Sequence, residues 1–136
     1  MQSFVERIVF DKWNDALCDE EEILTPTILE VDQIIEALDA KIKTLVSMYC
    51  QDGSYLTIGG GTGQYVVYTS TSDGQLWNLL GDSDNRDEKE IVLLVAGGQE
   101  GDFPVSLIVN KAQVLQAAHT FFITGQMDTS LVWEKQ

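Results

Sequence analysis

Residues 55–68 read Tyr55-Leu-Thr-Ile-Gly-Gly-Gly-Thr-Gly-Gln-Tyr-Val-Val-Tyr68. How the glycines are read decides the fold. A glycine-rich turn that opens a helix is a phosphate cradle, whereas one that joins two strands is a hairpin of an antiparallel sheet. A dinucleotide fingerprint needs G-x-G-x-x-G, and Gln64 stands where Gly59 and Gly61 require the third glycine. A P-loop needs Gly-Lys-Ser/Thr, and no lysine occurs between Lys43 and Lys89. The residues after the glycines are aromatic and β-branched, so no helix N-terminus follows to face an anion. The stretch reads as two strands around a tight turn, with glycines supplying the positive φ that turns need. Close approach of another backbone or of a partner is a further use of bare glycine.

Outward from this hairpin the same period of two recurs. Residues 44–50, 55–59, 64–70, 75–80, 90–96 and 104–110 are rich in β-branched and aromatic side chains, and 130–134 reads as one more strand. Short signals (QDGS, GGTG, SDG, GGQEGDF) separate most of them, and connections this short favour antiparallel neighbours. Residues 81–89 read as a longer polar loop. Two segments follow the helical period instead. Val31, Ile34, Ile35, Leu38 and Ile42 line one face of a helix over about 31–42. Asn110 and Gln113 make a capping box for a helix over 111–124, and Gly125 stands where a left-handed residue ends it. Before these, SFVERIVFD reads as a strand with Trp13 and Leu17 packed behind it, and the block Asp19–Glu22 reads as a solvated loop or helix edge. The expectation is a single α+β domain over 1–136. It has an antiparallel sheet of about six or seven strands, two main helices packed on it, no internal repeat and no linker.

The chain has 136 residues, enough to fold without disulfides or a metal. Its net charge of −14 repels nucleic acid and anionic membrane and attracts basic partners. The same charge also serves plain solubility. No targeting segment is visible, since Glu6, Arg7 and Asp11 break any apolar run near the start. The run Ile91–Ala96 is far short of the roughly 20 residues of a membrane span. Cys18 and Cys50 form no CxxC pair and read as two free thiols, with one disulfide as the alternative.

Chemistry-bearing candidates fail one by one. In the acidic stretch 82–90, Asp82 and Asp84 fit the first two ligand places of a calcium loop. Arg86 takes the third, Asp87 replaces the glycine, and Leu93 sits at the twelfth place. The stretch is a solvated loop or an acidic contact surface. His119 is the single histidine and lies at the edge of the second helix's apolar stripe, with no nucleophile and orienting acid in view. Trp13, Trp77 and Trp133 read as core or rim aromatics. No paired-carboxylate, zinc or triad signature stands out. The residues therefore predict no enzyme, no metal and no cofactor.

The C-terminal third, FPVSLIVNKAQVLQAAHTFFITGQMDTSLVWE, is a Pro-led strand, a helix carrying Ala-x-x-Phe-Phe-x-x-Gly, and a tail ending Trp-Glu. With Gly59-Gly60, Trp77 and Gly97-Gly98 upstream, it resembles the type-1 immunity protein family of bacterial polymorphic toxin systems. The resemblance covers roughly residues 28–134 and leaves 1–27 poorly matched. It implies a cytoplasmic, non-enzymatic inhibitor of a cognate toxin domain. That toxin is expected to be basic, deaminase-like, active on nucleic acid and encoded by the adjacent gene. The inhibitor is expected to block the toxin's active site or substrate path, binding neither nucleic acid nor membrane itself. The matching residues are Gly97, Gly98, Pro104, Ala118, Phe121, Phe122, Gly125, Trp133 and Glu134. All but Glu134 read as fold determinants: turns, core and a helix stop. Charged contacts are expected from Asp19–Glu22, Asp82, Asp84, Asp87, Glu88, Glu100 and Asp102, and aromatic anchors from Tyr55, Tyr65, Tyr68 and Trp77. Two other readings stay open: a small-ligand or sensory domain with an apolar pocket, and a small enzyme using His119 and a carboxylate.

Overall fold

The structure, a computed structural model, describes residues 4–81 and 90–136. Strands β1 (Val5–Asn14) and β2 (Leu17–Leu24) precede helix α1 (Ile28–Glu36). Then come β3 (Leu45–Cys50), β4 (Tyr55–Gly61), β5 (Gln64–Ser70) and β6 (Leu76–Leu79). Strands β7 (Ile91–Ala96) and β8 (Gln99–Pro104), a 3-10 turn (Val105–Leu107), helix α2 (Lys111–Thr124) and β9 (Trp133–Lys135) complete the order. Seven strands form one antiparallel sheet in the order β2-β1-β3-β4-β5-β6-β9, and β7 and β8 form a separate two-stranded sheet. The fold is α+β, as its periodicity predicts.

The glycine stretch is a hairpin. Gly61 pairs with Gln64 across Thr62 and Gly63, both at positive φ (55° and 91°), which suits the twist of the flanking strands. The other glycines serve close approach. A Cβ on Gly61 would meet the backbone of Asp39 and Ala40 at 2.6–2.8 Å, where Asp39 bridges to this strand. A Cβ on Gly59 would stand 2.6 Å from the Ala96 Cβ, so the second hairpin rests on this spot.

Helix α1 spans Ile28–Glu36 rather than 31–42. Thr27 and Glu30 form a capping box that starts it earlier. Asp39 ends its reach: one carboxylate oxygen accepts the backbone N–H of Lys41, Ile42 and Lys43 at 2.9–3.0 Å, which folds that segment into a turn. Ile42 is thereby left half exposed at 49% instead of on the helix stripe. Helix α2 matches its sequence signals, with the Asn110/Gln113 capping box and Gly125 at φ 72°.

Three segments depart from expectation. The acidic block Asp19–Glu22 is strand, not loop. Alternation sends successive carboxylates to opposite faces, and Arg7 pairs with Glu22 at 3.2 Å while Lys12 stands opposite Asp19. As an edge strand its charge also blocks pairing with other chains. GGQEGDF is not one long turn, because only Gly97 and Gly98, at φ 68° and 77°, make the turn and the rest is β8. Pro104 closes that strand, so 104–110 becomes a 3-10 turn and a single bridge from Tyr65 to Val109 rather than a strand.

The main core lies between the helices and one sheet face. Ile8, Phe10, Val46, Met48, Leu56, Ile58, Val67 and Leu79 meet Val31, Ile35, Val114, Ala118, Phe121 and Phe122. A second, smaller core joins Val66, Leu94 and Ile108, with Phe103 and Leu107, under the β7–β8 hairpin.

Candidate protein-interaction surface

The helices cover one face of the sheet, and the other is shared between the β7–β8 hairpin and open surface. Register and alternation give the open part its composition. One cross-strand row runs Leu24, Arg7, Tyr49, Tyr55, Ser70. The next runs Glu22, Val9, Ser47, Thr57, Tyr68, Asn78, Glu134. The Tyr49 and Tyr55 rings lie 5.7 Å apart, and Tyr55 meets Tyr68 edge-on at 6.5 Å. The Arg7 guanidinium sits 4.1 Å above the Tyr49 ring while holding Glu22, so the one cation on these rows is already engaged. Beneath the rings the Ser47 and Thr57 hydroxyls bond to each other at 2.8 Å. The result is a pre-ordered aromatic strip with carboxylates at both ends, a kind of surface suited to binding another protein.

The hairpin is clipped onto the same face by a polar network. Asp11 is buried, and its carboxylate accepts from the Thr44 N–H (2.7 Å), the Thr44 hydroxyl (2.5 Å), the Leu45 N–H (3.0 Å) and the Trp13 indole N–H (2.7 Å). The Thr44 oxygen in turn accepts the Gly98 N–H at 2.9 Å. The Trp13 ring covers Gly98 so closely that a Cβ there would lie 2.0 Å from it. Where the hairpin leaves the sheet, a cleft of about 250 Å³ opens beside Tyr68, lined by Leu45, Val66, Asn78, Ala96 and Phe103.

The expected contact residues distribute unevenly. Tyr55 and Tyr68 come together on the open face. Tyr65 does not join them: three residues before Tyr68, it points to the opposite side and is buried at 3% in the helix-facing core. It is a core residue, not a surface anchor. Tyr49 takes the third place on the strip. The sequence reading passed over it, though its register opposite Tyr55 across the QDGS turn was the available signal. Trp77, opposite Thr69 and Lys135, lies on the helix side of the sheet and is partly buried. Glu100 and Asp102 are exposed on β8. Asp82, Asp84, Asp87 and Glu88 lie outside the described residues. The remaining matched residues act in the fold: Gly97 and Gly98 turn the hairpin, Phe121 and Phe122 fill the core, and Gly125 ends α2. Trp133 is partly buried and donates its indole N–H to the Asp128 carbonyl at 3.0 Å.

Of the groups that carry chemistry elsewhere, His119 and Cys50 are taken up by the fold. The His119 Nε2 meets Asp32 at 2.5 Å, tying α2 to α1. Cys18 and Cys50 are both free thiols, and burial pushes the Cys50 thiol up, away from its nucleophilic form. Among the described residues no cluster of three or more His, Cys, Asp or Glu side chains could hold a metal ion, and no helix is long and apolar enough to cross a membrane. A cleft between α1 and β1, lined by Phe10, Ile34, Lys43 and Val46, holds about 210 Å³, below the ~300 Å³ of typical ligand pockets. A wider groove of about 550 Å³ at Phe4, Cys50, Gln51, Asp52 and Gln126 is open, with a mixed polar and apolar lining.

A family model described as Immunity protein Imm1 matches residues 19–135. No curated protein matches the chain.

Proposed function

This chain belongs to the Imm1 immunity protein family, and on that premise we propose that it binds and neutralises a cognate bacterial toxin domain without catalysing a reaction. The family match over residues 19–135 is the observation that carries this reading. In it the toxin acts on nucleic acid, deaminase-like, and is encoded by the adjacent gene. The chain works in the cytoplasm, as one domain, and occludes the active site or the path by which substrate reaches it.

The charge supports the same direction. An enzyme that holds nucleic acid presents Lys and Arg to phosphates. A protein carrying −14 is steered onto such a surface and competes with the substrate for it. Holding a lethal enzyme silent takes affinity around nanomolar, about −12 kcal/mol, which requires a buried apolar or aromatic contact besides rim charge. The Tyr49–Tyr55–Tyr68 strip and the β7–β8 hairpin are two described surfaces that offer one.

The test is co-purification of this chain with the toxin domain encoded next to it, followed by a deamination assay on single- and double-stranded DNA and RNA. A stable one-to-one complex and loss of toxin activity at stoichiometric addition are expected. Absence of binding to the neighbouring gene's product would sink the proposal. Binding with a toxin of other chemistry would sink only the deaminase part.

A further inference from the structure

We propose that the outward face of the β7–β8 hairpin is the docking surface, and that its occupant is the basic face of the toxin domain. The proposal rests on the immunity-protein reading and adds the contact to it.

Residues paired directly across two antiparallel strands share a face. The pairs Ile91–Pro104, Leu93–Asp102 and Val95–Glu100 therefore form the side turned away from Leu94, Phe103 and the small core. Ile91 and Leu93 are 56% and 58% exposed, although the rule for a half-buried strand is to put polar side chains there. Beside this apolar row runs an acidic one, Glu100 and Asp102, both exposed and in no ion pair among the described residues. Neither strand contains a lysine or arginine. The face is thus a short apolar ridge flanked on one side by carboxylates that no described lysine or arginine pairs with, complementary to an apolar contact bordered by Lys or Arg. A second copy of this chain is a poor occupant. A two-fold contact would bring two copies of the Glu100–Asp102 row, and no lysine or arginine of either strand, into one interface between bodies each carrying −14. The hairpin is also held rigid by the Asp11–Thr44–Gly98 network, so little ordering cost opposes binding.

The probe is the toxin domain encoded by the adjacent gene, with affinity and association rate measured against variants of the full chain. Leu93→Gln is expected to weaken affinity on the order of 30-fold, the loss of a hot-spot contact. Asp102→Lys is expected to slow association about tenfold at low salt, with the difference shrinking as salt is raised. Leu29→Gln (62% exposed on α1) and Glu6→Lys (exposed on β1) match these changes elsewhere and are expected to bind like the parent. Unchanged thermal melts establish that the hairpin variants remain folded. Parent-like binding by both hairpin variants, or equal losses in the controls, overturns the proposed face while leaving the toxin-binding reading intact. Failure of the parent chain to bind overturns both.

Discussion

Replacing Gly98 with alanine tests how the hairpin is fixed to the sheet. Two costs apply. Gly98 sits at φ 77°, where an L side chain costs about 1–2 kcal/mol. The new Cβ would also lie 2.0, 2.2 and 2.6 Å from three atoms of the Trp13 ring. The ring cannot simply swing aside, because its indole N–H is bonded to the buried Asp11 carboxylate at 2.7 Å. Overpacking of this kind adds about 1–3 kcal/mol. Gly97→Ala is the internal control. Its φ of 68° carries the same backbone cost, but its Cβ would meet only Leu45 Cδ2, at an ordinary 3.8 Å. Urea titrations followed by far-UV circular dichroism are expected to place Gly98→Ala about 2–5 kcal/mol below the parent and Gly97→Ala only about 1–2 kcal/mol below it. Equal losses in the two variants would refute the argument that Trp13 over Gly98 locks the hairpin down.

Two further outcomes follow from the same geometry. The carboxylate of Asp39 is held below the usual range by backbone N–H donors from Lys43, Lys41 and Ile42 that outweigh burial, which acts the other way; hydroxyls of Ser130 and Thr120 hold Asp128 low. A depressed folded pKa gives stability that is fully present above the unfolded value at about pH 4 and is lost as pH falls from there through the lower folded value, so melting temperatures between pH 6 and pH 3 are expected to fall less steeply in Asp39→Asn and Asp128→Asn than in the parent, and identical slopes would contradict this. Tyr65→Ala is expected to cost about 3–5 kcal/mol as a core truncation, against about 1 kcal/mol for Tyr68→Ala on the open face; comparable losses by urea titration would mean the two faces are misassigned.

What could be read from the sequence was whatever local chemistry decides. Asn110, Gln113 and Gly125 bound α2 because a cap is made by residues a few positions apart. Strands β3 to β5 were legible because alternation and short turns agree. The misses are places where distant partners overrule local preference. Gln99–Pro104 has poor strand formers, and it is a strand because a two-residue turn folds it back onto Ile91–Ala96. Asp19–Glu22 is a strand because β1 brings it Arg7 and Lys12. Ile42 left the helix because Asp39 captured three backbone donors. Tyr65 was legible in principle, since an odd separation from Tyr68 within one strand puts the two on opposite faces.

The arrangement explains why residues outside the family match still matter to the surface inside it. The match begins at residue 19, yet Asp11 and Trp13 precede it and are the groups that hold the Gly97–Gly98 turn in place. Strand β1 also stands between β2 and β3, so without it β2, whose residues 19–24 fall within the match, would have no neighbour in the sheet. The hairpin can leave Ile91 and Leu93 exposed because its other side is spent on Val66, Gly59 and Trp13. A bare two-stranded hairpin is marginal in water. Here its stability is borrowed from the small core beneath it and from the buried Asp11 carboxylate of β1, acting through Thr44 and Trp13. The glycines at 59–61 complete the same logic: side chains there would lift the hairpin at Ala96 and push back Asp39 and Ala40. Bare backbone there lets the β7–β8 hairpin and the turn after α1 come close enough to pack against the sheet.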